Sequence, residues 1–159
     1  MNDKGQALAE FLNALVKRSD LQPKPDGTTF CNIASQFVAQ FFGCKDFNDS
    51  ILAEAMIEFM EANPDRWKAV DGEPAASFAL AGCLVFAAMT AEDLGEAHAH
   101  IAAVYPAQTQ FSGSLRKTVP MLANCGKTNG IMRASQAFPV AKGEPKYYSW
   151  CGINSSNTL

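Results

Sequence analysis

The sequence predicts an α+β domain in which helices come first and a small antiparallel sheet follows, packed on a helix that Cys31 opens. Two observations carry this reading. Before Gly82, apolar residues recur every three or four positions, the period of an amphipathic helix. After Gly82, short apolar runs separated by Gly, Pro, Ser and Asn read as strands. A length of 159 residues suits one domain, 1–159, with core enough to fold without staples. No internal repeat, low-complexity tract or long linker divides it.

Leu8, Phe11, Leu12, Leu15 and Val16 form a stripe, so a helix is expected from Lys4 to Arg18. Two prolines and a glycine between Ser19 and Gly27 stop it and demand a loop. A second helix follows from Thr28, with Thr28 or Thr29 as N-cap, Cys31 in the first turn and Gly43 as the stop. Its apolar face runs through Ile33, Phe37, Val38, Phe41 and Phe42. A third helix is expected from Asp49 to Ala62, closed by Asn63-Pro64. Trp67 and Val70 lead to a short helix from Pro74 to Ala81, with Pro74 in its first turn. Strands are expected at Cys83 to Met89, Ala99 to Tyr105, Val119 to Asn124 and Lys146 to Trp150.

Composition removes several classes. Thirteen basic residues stand against 16 acidic ones, a net charge of −3 with no block of like charge, which is a poor match for a nucleic-acid partner. No apolar run approaches the roughly 20 residues that span a bilayer, so membrane insertion is not expected. The polar start Met1-Asn2-Asp3-Lys4-Gly5 lacks the pattern of a secretory signal, which implies synthesis in the cytoplasm and delivery by other means if the protein acts outside. The five cysteines, Cys31, Cys44, Cys83, Cys125 and Cys151, contain no C-x-x-C pair. Cys83 reads as a small core residue, and Cys44 with Cys151 is a candidate pair in an oxidising compartment, with connectivity open.

The chemistry-bearing residues are few. A thiol at a helix N-terminus meets unsatisfied N–H groups that favour thiolate, and an imidazole from a neighbouring strand can take its proton. Cys31 therefore reads as a nucleophile less buried than a mid-helix residue, titrating below the ~8.5 of a free cysteine. The only histidines are His98 and His100. His100 opens the run Ile101-Ala102-Ala103-Val104 and is the favoured base, whereas His98 lies nearer the acidic loop Glu92 to Glu96. On paper His98, His100, Cys31 and Cys125 also assemble into a zinc set, but no spacing requires it and no metal or cofactor is expected.

The order of these fragments resembles the papain-like cell-wall cysteine peptidases of the NlpC type, and most of all the peptidoglycan amidase effectors of type VI secretion. The segments that carry the resemblance are Cys31-Asn32-Ile33-Ala34-Ser35-Gln36-Phe37-Val38, Ala55-Met56 with Trp67, His98-Ala99-His100-Ile101-Ala102-Ala103-Val104, and Pro120-Met121-Leu122-Ala123-Asn124-Cys125-Gly126. Together they span Thr28 to Trp150. Ala99 stands where the family usually has Gly, and Asn32 where it usually has Ser. The resemblance implies a papain-like fold and hydrolysis of an amide bond in the peptidoglycan stem peptide. Cys31 would be the nucleophile and His100 the base, with Asn124 or a backbone carbonyl orienting the imidazole. It further implies an antibacterial effector acting in the periplasm of a target cell, paired with a cognate immunity protein, or a phage lysis enzyme. The loop Gly126 to Gly130, with Arg133, is a candidate contact for stem-peptide carboxylates. The alternatives are a non-catalytic cell-wall peptide-binding module of the same fold and a thiol acyltransferase.

Overall fold

The computed structural model describes residues 1–48, 51–150 and 152. Helix α1, Asp3–Leu15, begins at Asn2, whose Oδ1 accepts the Gly5 N–H at 2.8 Å while its Nδ2 donates to the Ala81 carbonyl at 3.0 Å. That second bond ties the chain start to the end of α4, Gly72–Leu80. Gly82, at φ +81°, lies under α1, and a Cβ there would sit 2.4 Å from the Lys4 Cβ. Only glycine fits both the backbone and the space.

Helix α2, Cys31–Phe41, differs from expectation at its start and in its buried face. The N-cap is Phe30, with no side-chain cap, because Thr28 is used in the preceding turn. There its carbonyl accepts the Lys24 N–H at 2.9 Å and its N–H donates to Asp26 Oδ1 at 2.9 Å. The buried residues are Cys31, Ala34, Ser35, Val38 and Ala39, together with Gln36, whose Nε2 donates to the Ile51 carbonyl at 3.0 Å. Ile33 and Phe37 are half-buried and Phe41 is exposed, stacked on Phe11 at 4.4 Å. Small side chains face the sheet because they permit close approach, and the aromatic residues fill the rim. The helix ends as expected: Gly43, at φ +70°, donates to the Gln40 carbonyl and Cys44 to that of Ala39, satisfying the last carbonyls.

Helix α3, Ala53–Ala62, begins later than the expected Asp49; Asp49 and Ser50 lie outside the described residues. Trp67 and Val70, expected only to lead into a helix, bound strand β1, Trp67–Val70. The Trp67 ring stacks on Phe86 with centroids 5.7 Å apart, and its Nε1 donates to Asp46 Oδ2 at 2.9 Å. Strands β2, Val85–Met89, and β3, His100–Val104, flank the short helix α5, Ala91–Leu94. The expected strand from Val119 to Asn124 is broken by Pro120, which cannot donate to a ladder. The result is β4, Gln110–Ser112, paired with β5, Lys117–Val119, in a ribbon, followed by β6, Met121–Asn124. Strand β7, Gly130–Arg133, runs into helix α6, Ala134–Ala137, and β8, Lys146–Trp150, matches its expected bounds.

Among the described residues, six strands form an antiparallel sheet in the order β1-β8-β2-β3-β6-β7. Both faces are covered. Helices α1, α2 and α3 pack on Phe86, Ala88, Ile101, Ala103 and Tyr148. Helices α4 and α6 pack on Val85, Ala87, Ala102, Val104 and Tyr147. This explains why β2 is apolar at every position, where a half-buried strand would alternate. The architecture is α+β with a small antiparallel sheet, and among the described residues no helix is long and apolar enough to cross a membrane.

Candidate active site

The site forms at the start of β3. Helix α2 packs across this strand, and β6 pairs beside it with Ala103 opposite Ala123. Continued past the end of β6, this register sets Cys125 opposite Ile101 and Gly126 opposite His100. Strand alternation sends Ile101 and Ala103 toward α2. It turns His100 to the other face, where the imidazole packs against Phe138 with centroids 5.0 Å apart.

Asn124 reaches that face from β6. Its Oδ1 lies 2.7 Å from His100 Nε2, and its Nδ2 donates to the Thr128 carbonyl at 2.7 Å. The second bond settles which end of the amide faces the ring. Because Oδ1 is an acceptor, Nε2 carries the hydrogen and Nδ1 keeps its lone pair. Of the two orienting groups weighed from sequence, the side chain of Asn124 is the one that meets the imidazole.

Cys31 is the first residue of α2, and its thiol lies against the Ile101 backbone, next in chain to His100. It is 7% exposed, contrary to the expectation of a less buried helix end, because Cys31 falls on the small-residue face that meets β3. Burial pushes its thiol pKa up, with backbone hydrogen bonds from Ile101, Asn32 and Cys31 itself pulling the other way. The expected low pKa is therefore corrected: desolvation outweighs the helix start. Burial likewise pushes the His100 pKa down, opposed by the hydrogen bond to Asn124. Both shifts favour the uncharged forms, thiol and neutral imidazole.

His98 is exposed and outside β3. It lines, with Thr29, His100, Asn124, Gly126 and Phe138, a cleft of about 440 Å³, which Cys31 does not line. Lys127 and Thr128 also line this cleft, whereas Arg133 turns away to donate to the Phe111 carbonyl at 3.1 Å. A larger concavity of about 1090 Å³ lies at the β1–β8 edge and holds none of these side chains. Cys125 is buried beside Cys31, its pKa pushed up to about 11 chiefly by that burial. Cys44 is a buried free thiol; its candidate partner Cys151 lies outside the described residues. Among the described residues no group of three His, Cys, Asp or Glu side chains converges as a metal site.

Sequence reasoning missed the support of the imidazole. A Cβ on Gly126 would stand 3.0 Å from His100 Cε1 and 3.3 Å from Asn124 Nδ2, so this position must be bare. Gly126 to Gly130 read as a turn, and nothing local announced that it backs a ring. No protein-family model matches the chain, and no curated protein matches it.

Proposed function

We propose that the chain is a cysteine amidase of papain-like type that hydrolyses an amide bond in the peptidoglycan stem peptide. The observation that carries this reading is the His100 Nε2–Asn124 Oδ1 contact of 2.7 Å, which leaves Nδ1 basic on the residue before Ile101, whose backbone the Cys31 thiol meets. An imidazole oriented by an amide oxygen is one arrangement that serves a thiol nucleophile. The substrate class rests on the order of the Cys31, His100 and Asn124 segments.

In this scheme both groups start neutral, and the thiol proton passes to Nδ1 around the start of β3, where the ring and the thiol must meet, as sulfur attacks the amide carbonyl. The S–C bond forms, and the carbonyl oxygen takes the negative charge under the uncapped N–H groups at the start of α2. Collapse breaks the C–N bond, and the imidazolium returns its proton to the leaving amine. Water then attacks the thioester, giving its proton to His100, and the thiol is regenerated. No cofactor takes part in this scheme. As an antibacterial effector the protein would act in the periplasm of a target cell after delivery by a secretion system, with an immunity protein as its partner; a phage lysis enzyme would use the same chemistry.

A second reading is favoured by one observation. Cys31 is buried and does not line the cleft, as in a peptide-binding module that has kept the fold without turnover. The test incubates purified peptidoglycan fragments with wild type and Cys31→Ala and counts new amine ends by mass spectrometry. Release by wild type alone supports the amidase. Binding without release supports the module, and release only with an added amine acceptor supports an acyltransferase.

A further inference from the structure

We propose that Asn129 is a positioning residue that, through the turn 126–129, holds the imidazole of His100 in the tautomer with its lone pair on Nδ1. The proposal rests on the reading of His100 as the base. The turn touches the His100–Asn124 pair at two points. The Thr128 carbonyl accepts from Asn124 Nδ2 at 2.7 Å, and Gly126 packs against the edge of the ring. If the Asn124 amide rotated by half a turn, Nδ2 would face Nε2. Only the Nδ1–H tautomer accepts that donor, and the basic nitrogen would then be spent on Asn124, leaving Nδ1 unable to take a proton. The Thr128 carbonyl is what opposes this rotation.

Thr128 and Lys127 are exposed at the tip of the turn, so something must hold it in place. Asn129 does so with both ends of its amide. Oδ1 accepts the Gly126 N–H at 3.0 Å, closing the turn on itself, and Nδ2 donates to the Leu21 carbonyl at 2.8 Å. Leu21 is 1% exposed, and the loop it begins leads directly to Cys31. One side chain thus joins the loop before the thiol helix to the hairpin that carries the imidazole's partner. Asn129 touches no reacting atom and acts only through Gly126, Thr128 and Asn124.

The test is nitrogen NMR of the imidazole in ¹⁵N-histidine-labelled protein, in a His98→Gln background so that a single ring is observed. Wild type is expected to show one neutral tautomer, protonated on Nε2. Asn129→Ala is expected to show a mixture of the two tautomers, with the titration midpoint shifted upward toward the ~6.5 of a free histidine as water enters beside the ring. Glu96 and Lys127 are the charged groups acting on His100, and both are retained. Asn13→Ala serves as the control, since it deletes a comparable tertiary bond, Asn13 Nδ2 to Tyr105 Oη at 2.9 Å, away from the site. It should lower the melting temperature and leave the imidazole unchanged. An Asn129→Ala spectrum identical to wild type, with only the melting temperature reduced, overturns the proposal. Should that variant not fold, Asn129→Asp keeps the acceptor for the Gly126 N–H and removes only the donation to the Leu21 carbonyl, and an unaltered tautomer there overturns the proposal equally. None of these readouts needs turnover, so they stand apart from the outcome of the amidase assay.

Discussion

Removing the side chain of Asn124 should cost stability as well as function, and the size of the loss can be worked from its contacts. Asn124 is 4% exposed and makes two hydrogen bonds of 2.7 Å, one with His100 and one to Thr128. Thr128 is exposed and its carbonyl can rehydrate, but the His100 N–H is left facing a cavity. A stranded buried donor costs about 1–3 kcal/mol, and a lost net hydrogen bond about 1 kcal/mol. Water entering from the adjoining cleft recovers part of this, so Asn124→Ala should lose about 2 kcal/mol. In urea unfolding with a slope near 2 kcal/mol per molar, this moves the midpoint down by about 1 M with the slope unchanged. Asn124→Asp sharpens the test. It keeps an acceptor for Nε2 but turns a carboxylate oxygen on the Thr128 carbonyl, which costs stability. Its charge raises the pKa of His100 relative to wild type, so the loss should be smaller at pH 5 than at pH 7. A loss under about 0.5 kcal/mol for the alanine variant, the size of an ordinary surface substitution, would refute the claim that this bond holds the imidazole.

Cys31→Ala should abolish turnover while the fold survives, and His100→Ala should be nearly as damaging; His98→Ala, at an exposed position, should stay within a few-fold of wild type. If the histidine effects are exchanged, the base has been misassigned. Alkylation of Cys31 followed against pH by mass spectrometry should have its midpoint above the ~8.5 of a free cysteine, because burial pushes the thiol up, and a midpoint below that value would restore a preformed ion pair. The depressed pKa of His100 makes the folded state bind fewer protons than the unfolded chain. Its contribution is complete above pH 6.5 and is lost as the pH falls toward the folded value. Wild type should therefore weaken between pH 6.5 and 5 more than His100→Gln does; equal slopes would show that the imidazole is not desolvated. Asp20 and Asp26, held low by Arg18 and Thr28, act only below about pH 4 and do not confuse this window.

Local pattern alone carried the mixed fold class, the helix that Cys31 opens, the Gly43 stop, the strand begun by His100 and the last strand. Each depends on residues within one turn or one pleat of each other, and such signals survive without knowledge of the rest of the chain. Tertiary structure decided what depended on which surfaces meet. Helix α2 turns Cys31, Ala34 and Val38 to the sheet instead of Ile33, Phe37 and Phe41, because close packing on β3 admits small side chains and expels large ones. That choice buries the thiol and reverses the direction of its pKa, a result of desolvation that no spacing of residues encodes. Trp67 lies in a strand because β8, far along the chain, offers it a ladder partner. The meeting of Asn124 with His100, and of Asn129 with Leu21, is likewise a product of chain return, where residues distant in sequence satisfy one another's hydrogen bonds only once the sheet has brought them together.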